Sequence, residues 1–460
     1  MKIVQAGGNC NCDDCKTYTS FTMPQEVIEA AEKGELILFC GAGISTESKK
    51  VLPYSFYENI LEILNRECDM KVDSNISFAE LMELFCKNIP NGRKKLIHTI
   101  KERFDFIRSF PELYSTAAKF HEELAKVPKI NTVITTNWDD FFENECGMVP
   151  IIDDKDISLW NTFSKRVFKV HGSINNIGSI VATTSDYKAC YNRLSNKPIG
   201  AQLKTLLSTH TVVFVGFSFG DEDLNKIIKI LSSDLEDFAP QYFLVTIDES
   251  WEKTDNKNVL PIITDAYYFI HSLKKILIDK KIIESDSVYS FAKYANEIVT
   301  ELHVDWLSNN NKFSDKIKEY PELILSVAYQ DGRQHAYQRC AANKKLGDYI
   351  FKDYLEKVIQ SYDVIVEHHH HTGNLLMEYY FLGYLDGLIN LQVFQNNNEE
   401  VGIIPCFVYH DKYFEEESEL LSYIDENRNN QVYELLKRIE LLKRIELSPE
   451  TVPHFAPWVY

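Results

Sequence analysis

Five short runs of β-branched and aromatic residues, none containing Pro, punctuate the first half of this chain: ELILFC (35–40), NTVITT (131–136), RVFKVH (166–171), TVVFVG (211–216) and YFLVTI (242–247). Helical stretches separate them. A strand that returns through a helix comes back parallel to the one before, and parallel strands need cover on both faces. The alternation therefore predicts an α/β fold, a Rossmann-like parallel sheet with helices on both faces. Between the first two runs, Tyr57, Ile60, Leu61 and Leu64 fall on one helical face, and Ser77 with Glu80 forms a capping box ahead of Leu81, Leu84 and Phe85.

The pattern changes from about residue 285 to long aromatic-rich helices such as SFAKYANEIVTELHVDWL and GDYIFKDYLEKVIQSYDVIV. The polar stretch SNNNKFSD (308–315) suits a boundary, because runs of Asn and Ser favour turns. The expected organisation is an N-terminal segment (1–30), an α/β domain (31–300) and a mostly helical α+β C-terminal domain (310–460). In the last, residues 374–394 read as a buried helix, 401–410 as a strand, 435–447 as an amphipathic helix and 448–460 as an extended tail.

Composition narrows the function classes. The 68 acidic against 49 basic residues give a formal charge of −19, which opposes tight sequence-independent contact with a nucleic-acid backbone. A small anionic ligand is not excluded, since helix N-termini and backbone amides bind phosphate without net positive charge. The N-terminus lacks a signal-like apolar core and no run approaches a membrane span, so a cytoplasmic protein is expected. The ten Cys do not form a disulfide scaffold in so long a chain. Cys10, Cys12 and Cys15 are close enough to grip a soft metal but have no nearby fourth ligand, and His368 to His371 read as a surface turn. No metal is expected.

In open parallel sheets ligands bind beyond the carboxyl ends of the strands. The residues that follow these runs are Gly41-Ala42-Gly43-Ile44-Ser45, Thr136-Asn137-Trp138-Asp139-Asp140, His171-Gly172-Ser173 and Gly216-Phe217-Ser218-Phe219-Gly220-Asp221. Four polar or Gly-rich elements thus converge on one rim. The first lacks the third Gly of the dinucleotide fingerprint, and Glu62, the acid at the right distance, lies in a helical pattern, so an ordinary dehydrogenase fits badly.

In order and approximate spacing the four elements resemble the sirtuin NAD-binding domain, over about residues 30–250. The resemblance implies that NAD+ is the substrate, with phosphates and ribose against Gly41, Ala42, Gly43, Ile44 and Ser45. It implies that Asn137 and Asp139 border the nicotinamide ribose, with Trp138 as an aromatic wall. His171 would be the catalytic base, and Gly216, Phe217, Ser218 and Asp221 would lie near the adenosine half. Protein-deacylating sirtuins insert two Cys-x-x-Cys pairs after the His-Gly motif, whereas between His171 and Thr211 this chain has only Cys190. In this it looks like the zinc-less sirtuin-like proteins of bacterial anti-phage systems, which hydrolyse NAD+ and exhaust the infected cell. That likeness implies an NAD+ glycohydrolase held in check by homo-oligomerisation or by a partner ATPase of the hexameric DNA-translocase type. The alternatives are an NAD-dependent deacylase or ADP-ribosyltransferase, and a non-enzymatic sensor of NAD-derived nucleotides.

Overall fold

A computed structural model describes residues 3–6, 18, 20–68, 72, 76–217, 240–248, 259–308, 313–351, 353–397, 407–410, 412–439 and 455. The chain forms two compact units, Met1–Ile282 and Ile283–Tyr460.

In the first unit, β1 (Ile3–Ala6) and β2 (Phe21–Pro24) pair antiparallel and lead into α1 (Gln25–Lys33). Next come β3 (Leu36–Cys40), α2 (Phe56–Cys68), α3 (Phe78–Asn88), α4 (Gly92–Ser109), α5 (Pro111–Leu124), β4 (Thr132–Thr135), α6 (Phe141–Cys146), β5 (Val149–Ile151) and β6 (Arg166–Lys169). The unit continues with α7 (Thr184–Asn196), α8 (Pro198–Thr209), β7 (Thr211–Val215), β8 (Tyr242–Thr246), β9 (Val259–Ile263) and α9 (Ala266–Asp279). Strands β3 to β9 make one sheet in the order β5-β6-β4-β3-β7-β8-β9, and every pairing is parallel. This is the Rossmann-like α/β architecture expected from the alternation.

All five runs become strands of this sheet. Its two edges, β5 and β9, went unread because Pro150 and Pro261 interrupt their patterns. Proline lacks the amide that a central strand needs, and an edge strand tolerates the loss. Both faces of β3 are covered, since all five of its residues are buried. Ile37 and Phe39 join a core with Leu203 and Leu207 of α8, while α1 packs against β3 and β7, and α9 against α1 and α5. Helices α2, α3 and α4 fill the crossover between β3 and β4, and their core of Phe56, Ile60, Leu81, Phe85 and Ile100 also includes Ile174 and Ile180, just past the end of β6. The predicted capping box at Ser77 and Glu80 is present.

The second unit contains α10 (Ser287–Ser308), α11 (Phe313–Glu319), α12 (Leu323–Ala342), α13 (Tyr354–Thr372) and α14 (Leu375–Asn397). It also holds a small hairpin of β10 (Phe407–Tyr409) and β11 (Lys412–Phe414), then α15 (Glu417–Asn427) and α16 (Asn430–Leu436). Helices α12 and α14 cross closely. A Cβ at Gly332 or at Gly383 would sit 1.9 Å from the facing carbonyl oxygen of Tyr380 or Tyr329, so only glycine fits at either position. Residues 283–300, assigned to the first domain on sequence, belong to this unit, because Val288, Phe291, Ala292, Ala295 and Val299 of α10 enter its core. His368 to His371 are the last turn of α13 rather than a surface turn. The helical register runs on until Gly373 caps it at φ +69°, and successive side chains fan out around the axis at about 100° per residue. Cys10, Cys12 and Cys15 lie outside the described residues, as do 401–406 of the expected strand and 440–447 of the expected amphipathic helix. No described helix is long and apolar enough to cross a membrane.

Candidate active site

The chain runs from β3 to β4 on one side of the sheet and later returns to β7 on the other, so the loops after β3 and β7 meet at the switch point. They touch backbone to backbone. The Gly41 amide donates to Val215 O at 2.8 Å and the Gly43 amide to Gly216 O at 3.1 Å. A Cβ on Gly41 or Gly43 would lie 2.8 Å from Gly216 O, and Gly216 itself stands at φ +78°. Glycine is needed on both sides because only bare backbone can come this close. Ala42 and Gly43 are exposed at the rim, whereas Ile44 is buried and Ser45 fully so. Phe217 packs against Phe39 and Phe214 at ring distances of 5.6 and 5.9 Å, in the core beneath the loop. Ser218 and Asp221 lie outside the described residues.

Ser45 joins this turn to the loop after β4. Its hydroxyl donates to Asp139 Oδ2 at 2.8 Å and accepts from Asn137 Nδ2 at 3.3 Å. The Asn137 amide donates to Thr135 Oγ1 at 3.0 Å, while Asn137 Oδ1 is buried and meets no protein donor. That leaves one carboxamide oxygen for a ligand or water.

Lys169, fully buried at the end of β6, reaches under the same loop. Its ammonium donates to the carbonyl oxygen of Asp139 and to Glu143 Oε1, the latter at 3.1 Å. Burial raises the Asp139 and Glu143 carboxyls above their usual range, with Lys169 pulling the other way in both. At Asp140 the balance reverses: burial pushes the carboxyl up, but Arg108 and Asn175 hold it below its ordinary value.

Two residues beyond Lys169, His171 is 3% exposed and its ring meets Tyr187 edge-on at 4.9 Å. Gly172, at φ +81°, turns the chain so that the Val181 amide reaches His171 O at 3.0 Å and the Ile174 amide reaches Trp138 O at 2.7 Å. The His171 and Asn137 loops are thereby tied together. Trp138 stands against Phe56 and Phe78, each at 6.1 Å.

These elements enclose a cavity of about 640 Å³, a size suited to a small-molecule ligand. Ala42, Asn137, Trp138, Asp139 and His171 line it together, as the rim argument required. Gly41, Gly43, Ile44, Ser45, Gly216 and Phe217 do not line it; they build the turns that carry Ala42 and meet the loop after β7. Sequence reasoning missed Lys169, Arg103, Thr46, Glu47 and the aromatic wall of Phe56, Phe78 and Tyr187. Lys169 carried one legible signal, a lysine directly after the apolar pair Val167-Phe168 and two residues from His171, which places both on the same side of the chain.

Fold and site together define a Rossmann-like α/β unit with a ligand cavity at the carboxyl rim of its sheet. Residues 131–270 match the family model of the SIR2-like domain. Defense-associated sirtuin 2 of Bacillus subtilis is 23% identical over 312 residues, covering 65% of this chain and 28% of that protein. NAD(+) hydrolase ThsA of Acinetobacter baumannii is 26% identical over 271 residues, covering 56% and 53%. NAD(+) hydrolase ThsA of Enterococcus faecium is 29% identical over 224 residues, covering 47% and 44%. The sirtuin-like resemblance read from the motifs is borne out. The chain spans about half the length of the ThsA relatives and less of the defence sirtuin.

Proposed function

We propose that this chain hydrolyses NAD+ to nicotinamide and ADP-ribose, and that in the cell this activity depletes NAD+ in anti-phage defence. The observation that carries the reading is one cavity that Asn137 and His171 line together with Ala42 of the glycine turn. Two relatives named NAD(+) hydrolase and one named defence-associated sirtuin support it.

The chemistry suits these groups. The bond from nicotinamide to ribose breaks with its electron pair going to the pyridinium nitrogen, so the base leaves neutral and needs no acid. The ribose passes through an oxocarbenium-like state, and the site must stabilise that cation and admit one nucleophile. Asn137 Oδ1 orients a water toward the anomeric carbon, and His171 takes its proton, a role worth ~10²–10⁴-fold. Asp139, locked by Ser45 and beside Lys169, holds the Asn137 loop and adds negative field. Gly41, Ala42, Gly43 and Gly216 give the backbone approach for the phosphates, and Trp138 walls the nicotinamide side. Assembly into a homo-oligomer, or with an ATPase, is the proposed restraint on an activity that would otherwise drain its host.

Incubating purified protein with NAD+ and no acceptor, then separating products by chromatography, tests this reading. Free ADP-ribose from the wild type, and its loss in a folded His171→Ala or Asn137→Ala variant, is the expected result. Turnover that requires a protein acceptor would make the chain a transferase instead.

A further inference from the structure

We infer that Arg103 is the diphosphate-binding side chain of this cavity. The inference rests on the dinucleotide reading above and adds to it a residue from α4, outside the four rim elements. Arg103 lines the cavity, and its side chain is 5% exposed. One of its nitrogens carries its polar protein contacts, and the guanidinium carbon stands 5.4 Å from the Tyr54 ring centre. Nη2 donates to Thr46 O at 3.2 Å and to Tyr54 O at 3.1 Å, and pairs with a Glu47 carboxylate oxygen at 3.0 Å. Nε and Nη1 are sealed from bulk solvent and meet no protein acceptor.

A guanidinium stays charged at any physiological pH, and buried donors are rarely left unmade. Nε and Nη1 lie on different edges of the guanidinium, and each can give a single charge-assisted hydrogen bond to a phosphate oxygen. The position agrees. Thr46, whose carbonyl Nη2 holds, directly follows the glycine turn, and Ala42 and Thr46 line the cavity that Arg103 lines. A diphosphate lying along Gly41 to Ser45 reaches these donors after a small side-chain adjustment.

Charge adds an independent reason. Among the described lining residues Arg103 is the one Lys or Arg, while Glu47, Glu80 and Asp139 contribute acids. The backbone amides of the turn do not offset those acids and a dianionic ligand together. Glu47 also accepts from the Phe56 amide at 2.8 Å, so it is fixed in place and orients the guanidinium plane.

The experiment is calorimetric titration of the wild type, Arg103→Lys and Arg103→Met with ADP-ribose and with nicotinamide riboside, which has a ribose and a base but no diphosphate. Loss of charge-assisted hydrogen bonds should weaken ADP-ribose roughly 10- to 100-fold in Arg103→Met and less in Arg103→Lys, with nicotinamide riboside unchanged. Arg103→Lys keeps a cation for the Thr46 and Tyr54 carbonyls, so it tests the idle guanidinium donors even where the Met variant fails to fold. Equal losses for both ligands would mean that Arg103 only holds its loop, and unaltered ADP-ribose affinity would overturn the assignment outright. A wild type that binds neither ligand would instead remove the dinucleotide reading beneath it.

Discussion

Replacing Lys169 with Met keeps the length of the side chain and deletes the buried cation beneath the Asn137 loop. In the wild type that cation serves the Asp139 carbonyl and stands with two carboxyls, the buried Asp139 and the partly buried Glu143, whose ionisation desolvation already opposes. Removing one partner of a buried charged cluster costs about 3–5 kcal/mol at neutral pH. At roughly 3 °C per kcal/mol for a unit of this size, the first unit should melt about 9–15 °C lower.

The pH dependence separates this cause from lost packing. Both carboxyls have folded-state values raised above their unfolded ones, so each favours the fold at low pH and opposes it as pH rises through the raised value. Without Lys169 those values rise further, and the penalty grows toward neutrality. In the wild type, acid protonates the same carboxyls and strands the lysine, so the two proteins converge there. Thermal unfolding of both from pH 7.5 to pH 5 should show the gap shrinking. A gap that is constant with pH, or below about 1 kcal/mol at pH 7.5, would refute the counter-charge role of Lys169.

Other outcomes follow from the same geometry. Ser45→Ala removes the hydroxyl between Asn137 and Asp139, so it should cost about 1–3 kcal/mol and lower kcat roughly 10- to 100-fold with little change in KM; unaltered kcat would show that Ser45 does not organise Asn137. Gly216→Ala forces φ +78° on a Cβ that would lie 2.7 Å from Ile44 Cγ2 and 2.9 Å from Gly41 O, so chemical unfolding should register a loss of about 2–5 kcal/mol. His121 is fully buried, next to Phe141 and Phe142, and burial lowers its pKa to about 3. Below pH ~6.5 the unfolded chain gains a proton that the folded chain refuses, so stability falls by up to about 1.4 kcal/mol per pH unit as pH drops toward that value. His121→Leu should therefore show a shallower acid limb, and parallel limbs would contradict the assignment.

Much of the site was legible because chemistry at the end of a parallel strand is local in sequence. Asn137, Asp139 and His171 each follow a readable strand, and the sheet brings them to one rim. The partners of those residues were not legible. Ser45 finds Asn137 and Asp139 from 92 and 94 residues away, and Arg103 finds Thr46 from 57. Within KERFDFIRS, Arg103 reads as a solvated helix position, and no local pattern says that a loop will fold over it. The same limit applies to Phe217, which follows a strand as a ligand-binding residue would but turns its ring into the core.

The sequence by itself determined the five inner strands, the parallel sheet and the residues at its rim, because β-branched runs and the turns that end them are properties of neighbouring residues. Tertiary structure alone decided which strands close the edges, where Pro150 and Pro261 are tolerated. It also decided that Lys169 is buried under the Asn137 loop and that Arg103 enters the cavity wall. Burial and charge pairing arise only when distant segments exclude water together, and the periodicity of one segment holds no record of what will cover it.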